Sequence, residues 1–179
     1  MFDTINERKK VMKKVLHSLP SPLTKTVEEG KAAIVGGAVR AYFENNPPRD
    51  IDIFFFDRER YETLITKFEV EKKAEGIHTI NNHDPPIDLI FEEECRSVQD
   101  CIEQADFDIA AGCYSEGKFF LPDGYEKAIA DRKMTLKNLL YPQACFERFM
   151  RYKRYGYSCS VKDVKRIIQI WNENTTEEK

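Results

Sequence analysis

Apolar residues along the chain keep two different periods, and the changes of period mark out its elements. Met12, Val15, Leu16 and Leu19 recur at helical spacing and stop at the breaker Pro20-Ser21-Pro22. A short apolar run, residues 32–35, halts at Gly36-Gly37 and gives way to a helical pattern, so a strand, a tight turn and a helix are expected in that order. Residues 50–53 read as a further strand, followed by Tyr61, Leu64, Ile65 and Phe68 at helix spacing, which predicts a helix covering one face of a sheet. Strand signals return at residues 77–80 and 87–91, joined by the turn residues 81–85, and His83 there reads as a turn residue rather than a phosphate contact. In the second of these strands Ile87, Leu89 and Phe91 alternate with Asp88, Ile90 and Glu92.

Val98, Cys101, Ile102 and Ala105 form another helical stripe, with Ser97 placed to cap it. Residues 109–114 and 118–121 flank Ser115-Glu116-Gly117 as a hairpin with a tight turn. Beyond Pro122 the pattern is helical over residues 125–131, 142–155 and 160–172, the last opening on the capping pair Ser160 and Asp163 and burying Val164, Ile167, Ile168 and Trp171. The predicted class is α/β (α+β), with a sheet flanked by helices. Residues 1–121 carry the sheet, and residues 122–179 form a helical extension docked on it, since no linker composition separates the two.

Composition narrows the picture. A chain of 179 residues can bury a proper core. A formal net charge of −3 argues against a broadly basic nucleic-acid surface, because phosphate binding needs clustered Lys and Arg. Basic residues do concentrate late in the chain, at Arg148, Arg151, Lys153, Arg154, Lys162, Lys165 and Arg166, with Tyr152, Tyr155 and Tyr157 between the first of them. They form either a stacking and phosphate surface or a solvated helix face with tyrosines packed inward. The five cysteines show no zinc-site spacing, and their odd number does not suit a disulfide framework. The polar start and the lack of a long apolar run predict a cytoplasmic protein with no membrane segment.

The chemistry concentrates between residues 34 and 53. At a turn such as Gly36-Gly37, backbone N–H groups at a helix start can face an anion, and glycine allows close approach. Asp50 and Asp52, spaced by two, share a face if the segment is extended. Two anions so placed repel unless a cation lies between them, and oxygen-only ligands suit Mg²⁺ or Mn²⁺. Asp88 joins this cluster if its strand neighbours that of Asp52; otherwise it is a surface acid continued by Glu92, Glu93 and Glu94.

Gly36-Gly37-Ala38-Val39-Arg40 followed by Arg49-Asp50-Ile51-Asp52 resembles the nucleotidyltransferase head of bacterial-type CCA-adding enzymes and poly(A) polymerases, in the DNA polymerase beta superfamily. The resemblance implies the nucleotidyltransferase fold with a small mixed sheet. It also implies a triphosphate held at Gly36 and Gly37, with Arg40 and Arg49 close by, and two metal ions on Asp50 and Asp52. A third acid on an adjacent strand, as in the wider superfamily, would be Asp88 and would take the proton of the attacking hydroxyl. Asp106-Phe107-Asp108-Ile109-Ala110-Ala111 is similar to the family segment Arg-Arg-Asp-Phe-Thr-Ile-Asn-Ala, which points Asp106 at the ribose. Gln104 and Ala105 replace its arginines and Ala110 its asparagine, and a helix-ending aspartate is the competing account of Asp106.

The run from Arg148 to Tyr157 resembles the family helix of arginines three apart, which implies nucleotide contacts for Arg148 and Arg151. Where the family carries the Glu-Asp pair that reads the base edge, this chain has Ala144 and Cys145, so base choice departs from the family. The resemblance spans about residues 30–157 and omits the helical RNA-binding body. The expected activity is metal-dependent transfer of a nucleoside monophosphate from an NTP to an acceptor hydroxyl, first of all a tRNA-like RNA 3′ end. The alternatives are a toxin-like enzyme that modifies a protein or small molecule, and a non-catalytic nucleotide- or RNA-binding module.

Overall fold

Strand β1 (Ala32–Val35) is buried at all four positions because it lies inside a sheet covered on both faces. In this computed structural model, which describes residue 12 and residues 14–176, β1 pairs antiparallel with β2 (Ile51–Phe55) and with β6 (Cys113–Ser115). The sheet continues through β3 (Glu71–Ala74), β4 (Ile77–Ile80), β5 (Ile87–Ile90) and β7 (Lys118–Phe120), in the order β3-β4-β5-β2-β1-β6-β7. Its pairings are antiparallel except β2 with β5, so the sheet is mixed, as expected, and has seven strands.

Alternation decides which face each strand presents. Ile51, Ile53 and Phe55 of β2 and Ile87 and Leu89 of β5 are buried to 0% in the main core, and Asp52 and Phe54 turn to the other side. That side has a smaller apolar cluster of Ala33, Val35, Cys95, Cys101 and Cys113. The cysteines are unbridged.

Helix α1 (Ser21–Glu28) begins at the segment read as a breaker: Pro20 is its N-cap and a proline occupies its first turn, where a missing N–H costs nothing. It buries Leu23, Thr26 and Val27, an element that the periodicity does not announce. Helix α2 (Gly37–Glu44) follows the glycine turn and ends on Asn45 in the left-handed region, at φ 56°. Asp57 caps α3 (Arg58–Ile65) by accepting from the Arg60 N–H at 2.7 Å, and Tyr61 and Leu64 are its buried stripe. His83 lies 2.6 Å from the Pro85 carbonyl and 2.7 Å from that of Ser18, so the turn residue ties the β4–β5 loop to the N-terminal helical residues.

Ser97 caps α4 (Val98–Gln104), accepting from the Asp100 N–H at 3.2 Å. The strand expected from residue 109 begins only at Cys113. Asp108 takes over the local backbone, accepting from the N–H groups of Ile109 at 2.8 Å and Thr135 at 2.9 Å, and residues 108–110 close into a 3₁₀ turn instead. The β6–β7 hairpin turns on Glu116 and Gly117, both at positive φ as a two-residue primed turn requires.

Three further helices follow among the described residues, α5 (Tyr125–Ala130), α6 (Pro142–Arg154) and α7 (Val161–Thr176). Ser160 caps α7 through the Asp163 N–H at 3.1 Å, and Trp171 stacks on Phe146 with ring centroids 4.5 Å apart. A two-residue parallel ribbon, β8 (Lys133–Met134) with β9 (Ser158–Cys159), is too short to leave a sequence signal. One core cluster runs from Met12 to Ile167 and includes Tyr125, Phe149, Tyr152 and Tyr157, so the late helices share the core of the sheet. Among the described residues no helix is long and apolar enough to cross a membrane.

Ile53→Ala, at the centre of this packing, is expected to lower the unfolding free energy by about 3 kcal/mol in urea denaturation. Lys72→Ala on the exposed edge strand should stay within about 0.5 kcal/mol of the parent.

Candidate active site

The register of the sheet assembles the acids. Asp52 on β2 sits opposite Asp88 on β5, and Asp88 sits opposite Thr79 on β4, so the three side chains form a row across one face. Asp50 immediately precedes β2. Arg49 embraces Asp50, donating from Nε at 2.9 Å and from Nη2 to the same oxygen, Oδ2. Asp88 accepts from Thr79 Oγ1 at 2.6 Å and from Lys73 Nζ at 2.9 Å. Between them, burial and then the charges of Asp50 and Asp88 push the Asp52 carboxyl up to about 7, with Arg148 and Arg49 pulling it down.

The glycine turn closes one side. Gly36 adopts φ 68° and ψ −116°, a backbone state strained for any residue with a Cβ, and its N–H donates to the Gly112 carbonyl at 3.0 Å. Gly37 opens α2 against the acids: a Cβ there would stand 3.6 Å from Asp50 Oδ1. The first-turn N–H groups of such a helix lack intrahelical partners and suit a phosphate.

Arginines close the other side. Arg148 of α6 donates from Nη1 to Asp106 Oδ2 at 2.9 Å, and Asp106 is 7% exposed. Asp106, which the resemblance assigns to the ribose, is thus half of an ion pair whose carboxylate is buried and whose guanidinium is partly exposed. Arg40 of α2 lies over the Tyr152 ring at 4.7 Å and the Tyr155 ring at 5.6 Å, with Nε 3.7 Å from Glu44 Oε2. Its Nε and Nη1 are buried without a hydrogen-bond partner among the described residues, so this guanidinium combines a structural pairing with unused donors. Glu44 also accepts from the Tyr157 hydroxyl at 2.6 Å and pairs with Arg132, which ties α2 to the segments after α5 and α6.

A single cleft of about 750 Å³ collects all ten residues singled out from the sequence: Gly36, Gly37, Arg40, Arg49, Asp50, Asp52, Asp88, Asp106, Arg148 and Arg151. Glu44, Glu92, Arg132 and Tyr141 also line it and were not anticipated there. Their signal is only three-dimensional, since none belongs to a motif. Ala144 and Cys145 do not line the cleft, and Cys145 is 1% exposed in the core. The position aligned with a base-reading acid is therefore packed in the core and not on the cleft wall.

For a metal, Asp50 and Asp52 offer an oxygen-only pair beside the glycine turn, and Mg²⁺ commonly takes one or two carboxylates and completes its shell from substrate phosphates and water. The repulsion stored around Asp52 is what a divalent cation would relieve, so the residues fit the ion. Among the described residues no three His, Cys, Asp or Glu side chains are set together to hold a metal. Asp88 stands beside Asp52 as the strand pairing requires, but its oxygens are turned to Lys73 and Thr79.

The charge on Asp52 has a pH signature in chelator-treated protein. Below about pH 4 the carboxyl is protonated both folded and unfolded. As pH rises towards 7 the unfolded chain releases the proton while the folded one keeps it, so stability falls, and above 7 the full penalty stands. Asp52→Asn should therefore be the more stable protein at pH 8, by on the order of a few kcal/mol, with the gain shrinking to nothing near pH 4 in denaturant titrations.

The fold has recognisable relatives. A CCA-adding enzyme from Thermotoga maritima, solved with tRNA, superposes with a TM-score of 0.65 over 94% of this chain and 47% of its own, at 15% identity. The CCA-adding enzyme of Bacillus stearothermophilus with CTP gives 0.56 over 80% and 42%, at 20% identity. A further tRNA-processing enzyme gives 0.59 over 86% and 48%, at 19% identity. The chain thus has the nucleotidyltransferase fold of these proteins and spans just under half of their length. No curated protein matches it by sequence. The model of one family, described as Gabija anti-defense 2 family protein (Gad2), matches residues 6–132, from the N-terminal helical pattern through the glycine turn and the carboxylates to the end of α5. With well over half of its length matched, the chain belongs to the Gabija anti-defense 2 family.

Proposed function

We propose that this protein is a metal-dependent nucleotidyltransferase, which moves a nucleoside monophosphate from an NTP to an acceptor hydroxyl and releases pyrophosphate. The observation that carries this reading is the convergence of the glycine turn, the Asp50–Asp52 pair and Arg148 on one cleft. Asp50 and Asp52 would hold Mg²⁺ or Mn²⁺, which when bound supplies positive charge to the attacking hydroxyl and to the leaving oxygen.

The chain's own groups do the rest. The first-turn N–H groups of α2 hold the triphosphate, and Gly36 and Gly37 let it approach. Arg40, with donors unused, and Arg49 and Arg151 at the cleft wall offset phosphate charge. The Asp106–Arg148 pair presents a fixed donor and acceptor edge for the ribose or base. In-line attack then needs mainly alignment and charge neutralisation. In this reading residues 1–121 are the catalytic domain, and 122–179 a docked helical extension that contributes Arg148 and Arg151.

For the acceptor, the likeness to enzymes solved with tRNA and CTP supports an RNA 3′ hydroxyl. The family match supports a second reading, transfer to a protein hydroxyl of the defence being countered. The burial of Cys145 agrees with that reading, since the base-reading position of a tRNA-end enzyme is turned into the core.

Incubation with each α-labelled NTP and Mg²⁺ or Mn²⁺, with total RNA and with cell protein containing the Gabija defence, tests both. Label in RNA assigns the first acceptor and label in protein the second. Asp50→Ala and Asp52→Ala should abolish either while retaining the circular dichroism of the parent. Arg148→Ala should lower kcat/KM by about 10²-fold, the scale of losing one charge-stabilising donor.

A further inference from the structure

β3 is an edge strand whose four residues, Glu71 to Ala74, are all exposed, yet it reaches the centre of the cleft chemistry through one side chain. Glu71 pairs with Thr79, and Thr79 pairs with Asp88. Lys73, two residues beyond Glu71, reaches the same face, where it meets Asp88. The β3–β4 register shifts between Lys72 and Ala74, which leaves Lys73 without a partner residue on β4. Its ammonium lies 2.9 Å from Asp88 Oδ1 and 3.2 Å from Oδ2, and Thr79 Oγ1 donates to the same Oδ1 at 2.6 Å.

Asp50 and Asp88, the two acids beside Asp52, are thus each supplied with a cation by the chain itself: Arg49 on Asp50, and Lys73 on Asp88. Arg49 adjoins Asp50 in sequence and grips one oxygen only, which leaves Oδ1 towards Gly37. Lys73 comes from two strands away and contacts both oxygens of Asp88, on the side remote from Asp52. Asp88 is 17% exposed and Lys73 48%, so the pair is sheltered at the carboxylate and open at the ammonium. A lysine ammonium on a flexible stem can leave such a site without unfolding anything.

We propose that Lys73 is a positioning residue that competes with the divalent cation for Asp88. It holds this carboxylate out of the ion's coordination and leaves Asp50 and Asp52 as the protein ligands. The inference rests on the proposed function, because it assumes a divalent ion on that pair. Removing the ammonium frees Asp88, directly beside Asp52, to become a third oxygen ligand, and affinity rises with the number of charged ligands.

Mn²⁺ binding to the purified full chain without nucleotide, read as the loss of the free-ion signal in electron paramagnetic resonance, tests this in a double-mutant cycle. Lys73→Met should bind Mn²⁺ about tenfold more tightly than the parent. Asp88→Asn should stay within about threefold of the parent, and Lys73→Met in the Asp88→Asn background should add nothing. An unchanged affinity in Lys73→Met overturns the inference. So does a tightening that persists without the Asp88 carboxylate, which would show only the loss of a nearby positive charge. Asp52→Asn identifies the site: Mn²⁺ binding equal to the parent's in that variant overturns the metal site of the proposed function and this inference together, whereas binding lost there but unmoved by Lys73→Met overturns the inference alone.

Discussion

The parallel pairing of β2 with β5 is the constraint on which the site depends. Side chains alternate along a strand, so packing Ile51, Ile53 and Phe55 beside Ile87 and Leu89 in the main core sends Asp52 and Asp88 to the opposite face at the same level. Full burial of a single Ile or Leu is worth roughly 1.5–3 kcal/mol, and five such side chains outweigh the repulsion between the acids they bring together. A slip of one residue would exchange core and cleft. The apolar half of the strand pair therefore holds the polar half in a conformation it would not choose alone.

Around this row, charge is distributed unevenly. Asp50 and Asp88 are matched by Arg49 and Lys73, and Asp52 keeps an elevated proton affinity between them. A second polar centre lies at the other end of α2, where Glu44 gathers Arg40, Arg132 and the Tyr157 hydroxyl. Breaking one partner of a buried charge pair is far more costly than the pair is stabilising, so Glu44 acts chiefly as a fixed joint between the glycine-turn helix and the late segments. Through that joint and the Arg148–Asp106 pair, α6 is held against the cleft.

The relatives separate what is shared from what differs. CCA-adding enzymes share the fold while extending to about twice the length. In this chain Cys145 of α6 packs inward and the edge strand β3 carries Lys73 to Asp88. The family match ends at residue 132, so it rests on the frame and does not reach α6.

What the sequence determined by itself is what short-range physics governs. The glycine turn into α2, the caps at Ser97 and Ser160, the Glu116-Gly117 hairpin and the alternation around Asp88 each follow from neighbours within a few residues. The ten cleft residues are nominated by motif order and spacing together with the family resemblance that these carry. Local patterns failed where the decisive partner is distant: Asp108 stops the strand expected from residue 109 by bonding Thr135, and α1 starts on prolines that read as a break. β3 has no apolar face and exists only because β4 offers it a ladder. Only the tertiary structure decided that Asp88 lies beside Asp52, that Lys73 crosses a strand to reach it, that Asp106 is bound to Arg148 and that Cys145 points inward. Each of these depends on strand order or helix docking, which are set by burial summed over the whole chain and leave no mark at any single position.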